Sequence, residues 1–241
     1  MANLKTSYFN LDDIKIAYRE FGDGPILVFL HGNSESKKLF ADYQTKHFVK
    51  FHTFALDSRG HGQSISQDDQ YTISQFSQDV IRFCEGKGLK NINLVGYSDG
   101  GNIALHLAHK APGLFRKVIA ISPNTLASGT EEKSLKIFVR MKKLLTRLGQ
   151  LGFNTKKQIM RIDLMLTDIG LSEDQLRQIA LPMLILYAEK DMIKVSHIQK
   201  IAELIPNAQL KMIPGSTHMN ILRNPQTADA IKAYFENESD Y

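Results

Sequence analysis

Gly96-Tyr97-Ser98-Asp99-Gly100 sets a serine between two glycines, each two residues away. A hydroxyl held on a turn sharp enough to need such small neighbours is the arrangement from which serine attacks a carbonyl carbon. Serine is a poor nucleophile until a base takes its proton, and eight histidines compete for that role. His106 and His109 fall on the helix expected after Ser98 and point away. His47 and His52 flank a strand start at the opposite edge, and His197 opens a helix, where charge or capping accounts for it. His218 lies just beyond the last expected strand, on the edge that carries Ser98, and is the expected base. The base needs a buried acceptor to fix its tautomer and stabilise its cation. Asp191, after the strand preceding the last, is the expected acceptor. Glu189 is its nearest rival but sits closer to the strand end, and the turn after the sixth strand carries Asn124 rather than an acid.

The charge developing on a substrate oxygen calls for two N–H donors. One is expected from the backbone of Asp99, at a helix start. The other is expected from Asn33, in the turn that ends Phe29-Leu30-His31-Gly32.

The first half of the chain alternates short apolar runs with helical periodicity, the signature of a mostly parallel sheet covered on both faces. Residues 8–11 and 14–21 read as an opening strand pair. Strands are expected at 26–30, 52–56, 91–95 and 118–121, with helices at 73–85 and 100–110. From 123 to 180 there is no strand signal, only helical stretches at 135–148, 154–169 and 171–179. On the first of these, Ile137, Met141, Leu144 and Leu148 share a face; the last opens with Ser172 and Gln175 at capping-box spacing. Alternation resumes with strands at 182–187 and 209–213 and helices at 195–204 and 225–235. The expected organisation is a core domain of residues 1–122 and 181–241, carrying a helical insertion, 123–180, at the carboxyl edge of the sheet.

At 241 residues, 43% hydrophobic and 23% charged, the chain fits one soluble globular core. Met1-Ala2-Asn3-Leu4-Lys5-Thr6 lacks the apolar stretch of a secretory signal, and no apolar run is long enough to span a bilayer. Cys84 is the only cysteine, so an internal disulfide is excluded and a reducing, cytoplasmic setting is expected. The net charge of +5 is concentrated in residues 123–180, with ten Lys/Arg against six Asp/Glu. Lys136, Arg140, Lys143 and Arg147 recur there at helical spacing and read as a solvated face; no nucleic-acid motif accompanies them. No metal-ligand spacing occurs, and no metal or cofactor is expected.

His31-Gly32-Asn33, Asp57-Ser-Arg-Gly-His-Gly-Gln-Ser64, Gly96-Tyr-Ser-Asp-Gly-Gly101, Glu189-Lys-Asp191 and His218, in that order, resemble the α/β-hydrolases over essentially the whole length. The resemblance implies an eight-stranded sheet with its second strand antiparallel, flanked by helices, and a helical cap inserted after the sixth strand. It implies a serine hydrolase acting on small to medium carboxylic esters, activated amides, lactones or thioesters through an acyl-enzyme. Carbon–carbon bond hydrolysis and acyl transfer are open to the same triad, and a ligand receptor with an idle site is a further alternative. In relatives the 57–64 turn is mainly structural. Dehalogenating relatives carry Asp at the nucleophile, which Ser98 argues against, although Asn33 resembles their halide-binding asparagine. Ser98-Asp99-Gly100-Gly101 resembles the biphenyl hydrolase-like (valacyclovirase) branch, where the corresponding acid receives a substrate amino group. Tyr97, Asp99, Phe138, Met141, Met160 and Met165 are the expected substrate-binding residues, with Leu164 as a further apolar roof group. The partner is a small ester-like molecule, and the chain is expected as a monomer or homodimer.

Overall fold

The computed structural model describes residues 4–67 and 71–236; Met1-Ala2-Asn3 of the opening segment lies outside them. In chain order the elements are β1 (Thr6–Asn10), β2 (Ile14–Phe21), β3 (Ile26–Leu30), β4 (His52–Leu56), β5 (Ile65–Ser66), α1 (Ile73–Gly86), β6 (Ile92–Tyr97) and α2 (Asp99–Lys110). There follow β7 (Phe115–Ile121), α3 (Glu132–Gln150), α4 (Lys156–Met165), α5 (Glu173–Arg177), β8 (Met183–Lys190), α6 (Val195–Leu204), β9 (Ala208–Thr217) and α7 (Pro225–Glu236). The sheet runs β1-β2-β4-β3-β6-β7-β8-β9, with the two-residue β5 paired to β2 at one side. β2 is antiparallel to β1 and β4, and from β4 through β9 all pairings are parallel. Helices α3–α5 lie between β7 and β8, the sixth and seventh strands when β5 is set aside.

The unbroken apolar runs follow from burial on both sides of the sheet. Val28 and Leu30 of β3 face a core shared with α1, α2 and α6, while Leu27 and Phe29 of the same strand face Phe40, Tyr43, Phe48 and α7. Cys84 is packed in the first core, and burial pushes its thiol up to about 12, so it is inert filling rather than a nucleophile.

Polar anchors fix the loops below the site. The 57–64 turn is held by Asp57, which accepts from Lys37 Nζ at 2.5 Å and from the Lys37 and Gln63 backbone N–H groups. Arg59, fully buried, pairs with Asp79 and Asp13. A Cβ on Gly62 would fall 2.1 Å from Asp57, so glycine is required there.

Helix α3 departs from expectation. Its periodic apolar residues Ile137, Met141 and Leu144 face solvent, and the inward face is instead the one bearing Phe138. Helical periodicity identifies a stripe but not which side of the helix meets the sheet. Ser172 and Gln175 form the expected capping box at the start of α5.

Candidate active site

Five strand ends converge at the carboxyl edge, and the ladder register sets which residues meet. Tyr97 pairs with Ile121, so the next residues, Ser98 and Ser122, emerge side by side. Lys190 pairs with Thr217 beyond an irregularity at Ala188/Lys190, so Asp191 and His218 emerge together. Ser98 adopts φ 54°, ψ −117°, a conformation side chains rarely take. The neighbouring glycines make that turn possible, because a Cβ on Gly96 would stand 2.0 Å from the Gly100 carbonyl oxygen and one on Gly100 2.2 Å from that of Leu30.

His218 Nε2 lies 3.0 Å from Ser98 Oγ and Nδ1 lies 2.7 Å from Asp191 Oδ1. With the carboxylate as acceptor, Nδ1–H donates to Asp191 and Nε2 is left to accept from the serine hydroxyl. Asp191 Oδ2 accepts from Ser122 Oγ at 2.5 Å and from the Ala188 N–H at 3.0 Å, and Oδ1 from the Ile193 N–H at 3.1 Å. Burial by itself would raise the Asp191 carboxyl; the His218 hydrogen bond and charge, together with Ser122 and Ala188, outweigh it and hold the group below its ordinary value. Glu189 turns aside to accept from the Gly215 N–H at 2.7 Å.

Asp99 begins α2 directly after Ser98, where helix N–H groups lack intrahelical acceptors. Its side chain is buried and accepts from Asn33 Nδ2 at 2.9 Å. Burial pushes its carboxyl up to about 6, against the opposing Asn33 hydrogen bond and His218 charge. The Asn33 amide also donates to the Arg161 carbonyl of α4 at 2.7 Å, tying the loop after β3 to the α3–α5 segment. His31 underpins this loop: Nδ1 donates to the Gly32 carbonyl at 2.7 Å and Nε2 accepts from the Ser58 N–H at 3.0 Å. That bonding pattern fixes a neutral ring, and burial lowers its proton affinity further.

A narrow pocket of about 30 Å³ lies over Ser98 and Asp99, lined also by Ser122, Phe138, Leu164 and Met165. Three expected wall residues are elsewhere. Tyr97 is buried beneath the site, its hydroxyl donating to the His218 carbonyl at 2.7 Å and its ring against the imidazole. Met141 is on the solvent face of α3, and Met160 packs against the core. The orientation of each element decides this: β6 is covered on both sides, and the apolar stripe of α3 is turned outward. Ser122, bonded to Asp191, and Asn33 as a link to α4 were not legible, since each role depends on a partner distant in sequence. Among the described residues no group of His, Cys, Asp and Glu is arranged to hold a metal ion.

A family model described as alpha/beta hydrolase fold matches residues 25–162, more than half of the chain. A 2-(acetamidomethylene)succinate hydrolase of Mesorhizobium japonicum is 32% identical over 108 residues, covering 45% of this chain and 39% of that protein. An ethanol acetyltransferase of Wickerhamomyces ciferrii is 35% identical over 117 residues, 48% of this chain and 28% of that protein. The match thus spans well under half the length of these curated relatives. A solved E-2-(acetamidomethylene)succinate hydrolase superposes with TM-score 0.82 over 98% of this chain and 100% of its own, at 20% identity.

Proposed function

Because the chain belongs to the alpha/beta hydrolase fold family, we propose that it cleaves small to medium carboxylic esters through an acyl-enzyme on Ser98. The observation that carries this reading is the continuous hydrogen-bond path from Ser98 Oγ through His218 to Asp191. As Ser98 Oγ attacks the carbonyl carbon, its proton passes to His218 Nε2, and Asp191 stabilises the resulting imidazolium. The oxyanion would be met by the backbone N–H groups of Asp99 and Asn33. Collapse expels the alcohol, which takes the proton from Nε2. Water then repeats the sequence, leaving the carboxylic acid and free Ser98.

The narrow pocket, about 30 Å³, has room for no more than a water or two. Substrate entry therefore requires the pocket walls to move, and Phe138, Leu164 and Met165, contributed by residues 123–180, are the side chains that would give way. Asp99 beside the nucleophile supports a preference for amino-acid esters, whose ammonium its carboxylate would receive.

The ethanol acetyltransferase among the relatives favours a second reading, in which an alcohol rather than water accepts the acyl group. Hydrolysis of p-nitrophenyl acetate, butyrate and octanoate by wild type and Ser98→Ala, with and without ethanol, tests both. The expected result is turnover lost by several orders of magnitude in the variant; ethyl ester accumulating with ethanol would mark transfer. Turnover unchanged in Ser98→Ala refutes the proposal.

A further inference from the structure

Among the described helices α1–α7, α3 alone contains no buried residue. At 100° per residue, Ile137, Met141, Leu144, Leu148 and Leu151 fall on one stripe. Ile137, Leu144 and Leu151 are exposed by 45%, 59% and 75%, Met141 is exposed too, Leu148 is half-buried, and Phe153, just beyond the helix, is 62% exposed. The inward face carrying Phe138 and the α4 contact through Lys142 and Asp163 lies on the other side of this stripe from a basic one. That basic stripe is Lys136, Arg140, Lys143 and Arg147, each one residue before a member of the apolar stripe. Lys136 reaches Glu132, whereas Arg140, Lys143 and Arg147 meet no carboxylate among the described residues. The helix has six cations and one acid in nineteen residues.

An occupant must satisfy both stripes at once. A second copy of the chain would set like charges against each other along the helix. A nucleic acid would neutralise the cations but leave the leucines, the isoleucine and Phe153 in water. An anionic bilayer surface meets both, with headgroups for the cations and the acyl boundary for the apolar side chains. We propose that α3, with Leu151 and Phe153 at its end, is a docking surface for an anionic lipid bilayer, the helix lying in the plane of the headgroups. No helix among the described residues is long and apolar enough to cross a membrane; attachment through α3, a helix lying in the headgroup plane, is itself peripheral. It draws on surface charge and exposed side chains that take no part in the chemistry proposed for Ser98.

Flotation of the intact protein with vesicles of roughly one part phosphatidylserine to three parts phosphatidylcholine, against phosphatidylcholine alone, tests this. The protein is expected on the anionic vesicles, at least about tenfold above the neutral ones, and to be released by salt. Two variants, Leu144→Gln with Leu151→Gln, and Arg140→Glu with Lys143→Glu and Arg147→Glu, are each expected to lose about tenfold or more of that binding. Unchanged circular dichroism and melting temperature establish that both remain folded. Equal partition onto the two vesicle types overturns the proposal, as does full retention of binding by the leucine variant. Release from the vesicles by duplex DNA at equal charge concentration would assign the basic stripe to nucleic acid and overturn it too.

Discussion

Replacing Asp99 with Asn isolates the cost of keeping a carboxylate beside the nucleophile. The side chain is 7% exposed, and burial raises its carboxyl from 3.8 to about 6. At pH 7 the group is ionised in both folded and unfolded chains, but the folded state holds that charge at a disadvantage. Two pKa units correspond to about 3 kcal/mol. Between about pH 4 and 6 the folded carboxyl retains a proton that the unfolded one has released, so this group makes stability fall as pH rises across that window. Asn keeps an oxygen to accept from Asn33 Nδ2 and has no charge to desolvate. Its added N–H groups must find acceptors, which offsets part of the gain, leaving about 1–3 kcal/mol at pH 7. For a chain of this size that is a rise in Tm of roughly 2–10 °C. Thermal and urea unfolding of wild type and Asp99→Asn at pH 4, 5, 6 and 7.5 reads both the offset and the slope. The two should converge near pH 4 and separate by pH 7.5. A variant no more stable than wild type at pH 7.5, with the same pH slope, would refute the reasoning. In the same variant, the ratio of rates on an amino-acid ester and the matching plain ester should fall; an unchanged ratio removes Asp99 from amine recognition.

Ser122→Ala removes the 2.5 Å hydrogen bond to Asp191, an interaction with a charged acceptor worth about 1.5–3 kcal/mol. Steady-state kinetics should show kcat reduced about tenfold with KM little changed. The Asp191 carboxyl, held below its ordinary value in wild type, should rise in the variant. The stability it contributes above the unfolded pKa would then be lost at a higher pH on acidification, as acid titration of the folded fraction would record. Arg59→Met strands buried Asp79 and should cost about 3–5 kcal/mol in urea unfolding. Burial already raises the Asp79 carboxyl against the pull of Arg59. The loss should therefore be smaller at pH 5 than at pH 8, where the stranded group must ionise.

The strand and helix sequence was readable because burial on both sheet faces demands unbroken apolar runs, such as Ile26–Leu30, set off by Gly24 before it and Gly32 after it. Ser98, Asp191 and His218 were readable as a set because each follows a parallel strand at one edge. Ser122 was not: a serine one residue past a strand is an ordinary turn residue until the register with β8 brings Asp191 to it. Asn33 offered a backbone donor in sequence, while its side chain ties Asp99 to Arg161 of α4, a contact across 128 positions. Tyr97 stood next to the nucleophile in sequence, but on a strand adjacent residues point to opposite faces, and its ring packs beneath His218. The apolar period of α3 was visible; its outward orientation is decided by how Phe138 and Lys142 seat the helix.

On the proposed mechanism, His218 activates Ser98. Reaction of the folded protein with a fluorophosphonate, followed by intact-mass measurement and peptide mapping, tests it most directly. A single adduct on Ser98, abolished by prior unfolding and strongly slowed in His218→Ala, is the predicted result. An adduct on another residue, or none on folded protein, would contradict it.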